Sequence, residues 1–361
     1  VVGTRAPPPE TTRALPDSID TGIPPLDPAG PPARVAVALN LAPLADWGTQ
    51  APLLDLMKTA RPWIGHFPGK WAGWDEVDFI AAGILDENGW PTRIPDEVES
   101  VGTLIMTDLP QDATDFAGTY VLTFDGSGIV EVSGRAKNVR YTTNRALFDF
   151  EPGEGGVDIR IKRARGAASD DYVRNIRVVR ADREAALNAG EVFNPDWLDH
   201  VRGFGGVRFM DWMDTNASPQ VIWTDRPRLS DYTWVRRGVP VEVMVRLANQ
   251  IGADPWFTLP HMADDRYVRA FASYVEERLA PDLRVYAEWS NEVWNFLFSQ
   301  AHWAADMAAS RWDGAEGDAW MQFAGLRAAE VAEIWAEVFE GQEDRLIRVI
   351  ATQTSWPVWN V

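Results

Sequence analysis

The segment Glu288-Trp-Ser-Asn291-Glu292 places two carboxylates and a carboxamide within five positions. A carboxyl group held among aromatic rings is desolvated, keeps its proton closer to neutral pH, and so suits general acid–base work. Glu292 has Trp289 on one side and Trp294 on the other. The plainer alternative is a carboxylate at a helix start, where the helix dipole favours it. Glu288 suits a buried ion pair, or the orienting of Arg208. Arg208, Asp211, His261 and Asn40 each follow or end a short apolar run, so all are candidate site residues. Trp47, Trp212, Trp256 and Trp289 lie near the same run ends. Their flat rings suit stacking on sugars, although most tryptophans belong to cores. His66, His200, His261 and His302 show no metal-ligand spacing, so neither a metal nor a cofactor is expected. The runs Gly153–Gly156 and Gly203–Gly206 lack the context of a phosphate cradle and read as turns. No G-x-S-x-G elbow occurs, which argues against an esterase.

The elements that must position these residues follow from periodicity. Residues 183 onward alternate helical spacing with short apolar runs. Gly206–Trp212, Pro255–Pro260, Leu283–Glu288 and Leu346–Thr352 read as strands, with helices over Pro195–Arg202, Val241–Ile251, Asp264–Leu279 and 299–340. The pair Asp264-Asp265 reads as a helix start. Val35–Leu39 reads as a buried first strand, and Ala51–Arg61 has helical spacing that stops before Pro62. Strands alternating with helices imply an α/β protein with a parallel sheet, whose site lies at the strands' C-terminal ends. Between about 98 and 181 the texture changes to short β-branched runs separated by Gly, Asp and Asn turns. That is the pattern of an antiparallel β-sandwich. The expected organisation is a Pro-rich extended arm over 1–34, the first strand and helix over 35–97, an inserted sandwich over 98–182, and strands two to five over 183–361.

Composition removes several classes of function. Lys plus Arg number 34 against 53 Asp plus Glu, a net charge of −19, so nucleic acid is not an expected partner. There is no cysteine, hence no disulfide and no thiol nucleophile. No apolar run is long enough for a membrane span, so no membrane partner is expected. The start at Val1 is what a removed signal peptide or a trimmed chain would leave, and a secreted or periplasmic location is expected. Tryptophan supplies 18 of 361 residues, which points to a large core, a sugar-binding cleft, or both.

Asn291-Glu292 after the fourth strand resembles the fourth-strand motif of clan-A retaining glycoside hydrolases, especially the cellulase-type family. Asn40 looks like that family's first-strand Asn, Arg208 like its second-strand Arg, and His261 stands where the family carries a His. The likeness covers roughly residues 35–60 and 195–353. It implies a (β/α)8 TIM barrel, partial in this chain, and hydrolysis of a polysaccharide or oligosaccharide with retention. Glu292 would be the acid/base and Asn291 its neighbour on the sugar 2-hydroxyl. Two carboxyls about 5–5.5 Å apart serve a retaining reaction. The family's nucleophile Glu and a platform Trp lie on later strands. The resemblance therefore implies a nucleophile outside this chain, and a second polypeptide segment to complete the barrel. Within the chain, Asp211 is the one substitute. Val293 replaces the Pro that often follows the motif, and the inserted sandwich has no counterpart. The alternative is a non-catalytic carbohydrate-binding protein on a barrel scaffold.

Overall fold

The computed structural model describes residues 35–166, 170–314 and 316–353; the Pro-rich stretch 1–34 lies outside them. In chain order the strands are β1 (Val35–Asn40), β2 (Ile64–His66), β3 (Ser100–Ile105), β4 (Gly118–Asp125), β5 (Ile129–Gly134), β6 (Lys137–Thr142), β7 (Arg145–Phe150), β8 (Val157–Arg163), β9 (Arg174–Arg180), β10 (Phe204–Arg208), β11 (Asp254–Leu259), β12 (Val285–Trp289) and β13 (Leu346–Val349). The helices are α1 (Glu76–Ala81), α2 (Glu184–Asn188), α3 (Pro195–Val201), α4 (Val241–Ile251), α5 (Asp265–Arg278), α6 (Ser299–Arg311) and α7 (Ala319–Val338). The fold is mixed α/β. One parallel sheet runs β1-β10-β11-β12-β13, and two antiparallel sheets run β2-β3-β8-β5 and β6-β7-β4-β9.

Local chemistry explains the helices around the parallel sheet. α4 stops where Gly252 takes left-handed backbone at φ 64, a conformation that suits a residue without Cβ. α5 starts because Asp264 accepts the Tyr267 N–H at 2.7 Å. Asp264→Ala is expected to destabilise the protein by about 1 kcal/mol, read as a lower urea midpoint at unchanged slope. An unchanged midpoint would show that the tertiary contacts of α5 make its cap redundant.

Strand register sorts the side chains by face. Asn40, Arg208, Trp256, Tyr286 and Ile347 form one cross-strand row, and Thr258, Glu288 and Val349 form the next on the same face. The opposite face carries Val207, Phe257, Leu259, Val285 and Ala287, which join the core with α4, α5 and α7. Phe257 stacks on Phe209 at 5.5 Å and meets Phe271 of α5 edge-on at 5.1 Å. One face is thus apolar and covered, and the other carries the polar side chains Asn40, Arg208, Thr258 and Glu288 among aromatic and aliphatic neighbours.

Three expectations need correction. β1 is not buried: among the described residues it stands at the edge of its sheet, paired with β10, and Val37 is 56% exposed. Ala51–Arg61 is not a helix but a short 3-10 turn over Leu56–Thr59. Its backbone bonds elsewhere: the Leu54 N–H donates to Val192 O at 2.8 Å, and Pro52 O accepts from the Asn194 N–H at 2.9 Å. The strand expected over Gly206–Trp212 ends at Arg208, and the chain then turns, with the Met213 N–H donating to Phe209 O at 2.8 Å.

The antiparallel sheets share a second core. Val101, Ile159 and Ile161 come from one sheet, and Leu122, Phe148 and Val178 from the other. Trp63, Phe79, Ile84 and Trp90 belong to this core as well, and β2 pairs with β3. Much of 56–98 therefore packs with the antiparallel sheets rather than with the parallel one.

Candidate active site at the strand ends

Three neighbouring strands bring the chemistry together. Arg208 ends β10, Trp256 lies on β11, and Glu288 lies on β12, all on the polar face. Arg208 Nη2 donates to Glu288 Oε2 at 3.0 Å and to Asn291 Oδ1 at 3.1 Å. Trp256 Nε1 donates to the same Glu288 oxygen at 2.8 Å, and its ring lies 5.1 Å from the guanidinium carbon of Arg208. Glu288 is buried, and that burial raises its carboxyl pKa; the Arg208 charge and the two hydrogen bonds oppose the rise. Glu288 is therefore an anchor, committed to two partners across 80 and 32 residues of sequence.

Glu292 stands apart from that pair. It is half-buried, and its Oε2 accepts from Asn295 Nδ2 at 3.0 Å. Its backbone is left-handed at φ 42, as is that of Ser290 at φ 57. Such angles in residues with a Cβ gather where function constrains the chain. Trp294 lines a cleft of about 540 Å³ together with Trp289, Val293, Val349 and Thr352. Glu292 thus lies in the loop whose Trp289, Val293 and Trp294 line this cleft, without itself being a lining residue, and next in the chain to Asn291, which Arg208 holds.

The remaining candidates divide. Asn40 is the cross-strand neighbour of Arg208, and its Nδ2 donates to Asp211 Oδ2 at 3.3 Å. Asp214 sits in the same turn as Asp211, and its pKa is raised by burial first and by the Asp211 charge second. His261 is buried, which lowers its pKa to about 4, so the ring is neutral at neutral pH. It meets Trp303 edge-on at 5.4 Å, and its carbonyl accepts from Trp289 Nε1 at 3.3 Å.

The four tryptophans have different fates. Trp47 is 62% exposed, and Trp256 is half-buried within the cluster. Trp212 is only 1% exposed and stacks on Trp197 at 6.0 Å, so its faces belong to the core and offer no platform. Trp289 is likewise buried, against Trp303 at 6.4 Å. Trp212→Ala is expected to destabilise the protein by about 3–5 kcal/mol. Trp47→Ala should stay within about 0.5 kcal/mol of the wild type. Urea denaturation of both variants checks the contrast, and equal losses would contradict it.

Asn216 and Gln300 also join this site, although the sequence pattern did not single them out. Asn216 accepts from Asn291 Nδ2 at 3.1 Å, and Gln300 donates to the Asn291 carbonyl at 2.8 Å. Neither belongs to a motif. The one local signal for Gln300 is its place in the first turn of the helix that follows Glu292. In comparisons with protein-family models, curated proteins and solved structures, no match to this chain was found.

Proposed function

We propose that this chain carries the acid/base half of a retaining glycoside hydrolase site acting on a polysaccharide or oligosaccharide. The observation that carries the reading is the meeting of Arg208, Trp256, Glu288 and Asn291 at one end of three consecutive parallel strands, with Glu292 next in the chain. Glu292 gives its proton to the leaving oxygen as the bond to the anomeric carbon breaks, and later takes a proton from the attacking water. Asn291, Arg208, Asn40, Asp211 and the rings of Trp47 and Trp256 contact the sugar, whereas His261, buried edge-on against Trp303, supports the site from within. The reading assigns the nucleophile to a Glu outside these 361 residues.

The same reading takes the parallel sheet as the first five strands of a (β/α)8 barrel, with the antiparallel sheets as a β-sandwich inserted after β1. Its support is the strand order, which advances without reversal. Right-handed crossovers in that order keep the helices on one face, whereas a doubly wound sheet reverses direction and covers both. The polar face then becomes the barrel interior.

A second reading is favoured by one observation. Asp211 and Glu288, the other carboxylates among the candidate site residues, already have partners in Asn40 and in Arg208 with Trp256. That suits a protein that binds glycan without cleaving it. The test is a panel of 4-nitrophenyl glycosides and unsubstituted oligosaccharides given to the full-length protein, with the anomer formed first read by proton NMR. Turnover with the starting configuration supports the hydrolase. Inversion overturns the retaining assignment. Glycan binding by calorimetry without turnover replaces hydrolysis with binding.

A further inference from the structure

The loop after β12 holds two left-handed non-glycine residues, Ser290 and Glu292, on either side of Asn291. Such backbone persists only where the surroundings fix it from several directions. Here the Ser290 N–H donates to Leu259 O at 2.8 Å, and the Asn291 carbonyl accepts from Gln300 Nε2 at 2.8 Å. Gln300 is fully buried at 0% exposure, so an unmet bond on it would carry a large penalty.

The orientation of every amide in this network follows from groups that have no choice of role. Arg208 only donates, so the Asn291 atom facing it at 3.1 Å is the oxygen. The Asn291 nitrogen then faces Asn216, which must present its oxygen, at 3.1 Å. At the other end, the Ala217 backbone N–H donates to Gln300 Oε1 at 3.0 Å. The Gln300 nitrogen therefore meets two acceptors, Asn216 Oδ1 at 2.7 Å and the Asn291 carbonyl. Read from either end, the chain of bonds gives the same answer. Asn291 Nδ2 gives one N–H to Asn216, and among the described residues the second has no acceptor.

We propose that Asn216 and Gln300 are positioning residues that lock the Asn291 amide and, through the Asn291 backbone, set the loop that carries Glu292. Together they hold one Asn291 N–H ready for a hydroxyl oxygen of the sugar beside the bond that Glu292 protonates. This inference rests on the glycoside reading above for the identity of the ligand, but not for the clamp itself.

The experiment compares Asn216→Asp, which keeps an acceptor oxygen, with Asn216→Leu, which removes it. Two readouts are taken. One is the Asn291 side-chain amide signal in asparagine-labelled full-length protein, assigned by its loss in Asn291→Asp. The other is kcat and KM on the best 4-nitrophenyl glycoside of the panel and on its 2-deoxy counterpart. Asn216→Asp is expected to keep slowly exchanging Asn291 amide protons and a kcat within about twofold of wild type. Asn216→Leu is expected to lose the amide protection and to lower kcat about tenfold with KM nearly unchanged. Its preference for the 2-hydroxy over the 2-deoxy substrate should fall in parallel. If Asn216→Leu does not fold, Asn216→Ala removes the same acceptor. Wild-type amide signals in the variant lacking the acceptor would overturn the clamp, as would equal damage in Asn216→Asp. If the wild type cleaves no glycoside, the hydrolase reading falls, and the amide spectra alone decide the clamp in either direction.

Discussion

Glu292→Gln should lower hydrolysis of an unactivated oligosaccharide by about 10²–10⁴-fold, the range for removing a positioned general acid and base. The amide keeps the shape of the carboxyl and can still accept the Asn295 Nδ2 bond, so the loop should keep its form. It can neither release a proton to the leaving oxygen nor take one from water. The deficit on a 4-nitrophenyl glycoside should be smaller, because 4-nitrophenolate leaves with little protonation and the first step is then spared. Glycan affinity by calorimetry should change by no more than about twofold, since a binding role for Glu292 is not part of the proposal. A variant that hydrolyses unsubstituted oligosaccharides at the wild-type rate would place the acid/base elsewhere. Equal deficits in kcat/KM, which reports only the first step, would mean that the substitution harms something other than proton transfer.

Arg208→Met should cost stability chiefly by stranding a buried charge. It strands Glu288, whose side chain is 2% exposed, without the cation that offsets its burial. Breaking a buried pair by removing one partner destabilises by about 3–5 kcal/mol. With the Arg208 side chain itself 21% exposed, the lower end of that range is expected. The pH dependence identifies the stranded group. In the native protein burial already holds the Glu288 pKa above its unfolded value, with Arg208 pulling against that rise. Between the two pKa values the folded state binds more protons than the unfolded state, so this group's contribution falls as pH rises through that window. Removing Arg208 raises the folded pKa further and extends the window upward. The deficit of Arg208→Met should therefore be largest near neutral pH and shrink as pH falls towards the ordinary carboxylate range. Adding Glu288→Gln should recover most of it at pH 7. Urea denaturation at pH 7 and pH 5 measures both effects. A deficit that is the same at both pH values, and that Glu288→Gln does not relieve, would show lost packing on Trp256 rather than a buried charge.

Much of this architecture was legible because it is local. The helix over Val241–Ile251 has the bounds its spacing implies, since apolar period and a following glycine are properties of a dozen adjacent residues. Asp264 caps its helix as an aspartate at that position should. The alternation of strands and helices after residue 183 gave the parallel sheet. The β-branched runs between 98 and 181 gave antiparallel pairing. The meeting of Arg208 and Asn291 near one end also followed, because strand ends in a parallel sheet share a side.

Other features depended on partners far away in the chain. Ala51–Arg61 has the apolar spacing of a helix, yet its backbone pairs with residues 192–194, a competition that no window of eleven residues contains. Val35–Leu39 is apolar enough for a central strand, and the sheet order among the described residues puts it at an edge. Trp212 and Trp47 are alike as sequence features. Trp197 stacks on the first, whereas the second remains 62% exposed. Asn216 and Gln300 reach the site across separations of 75 and 9 residues from Asn291. The sequence by itself determined which segments become strands and helices and which residue types gather at their ends, because periodicity and capping act over a few residues. The tertiary structure decided which of those side chains are anchored, which remain open and which distant amides hold them, because burial and hydrogen-bond partners are set by segments that meet only when the chain has folded.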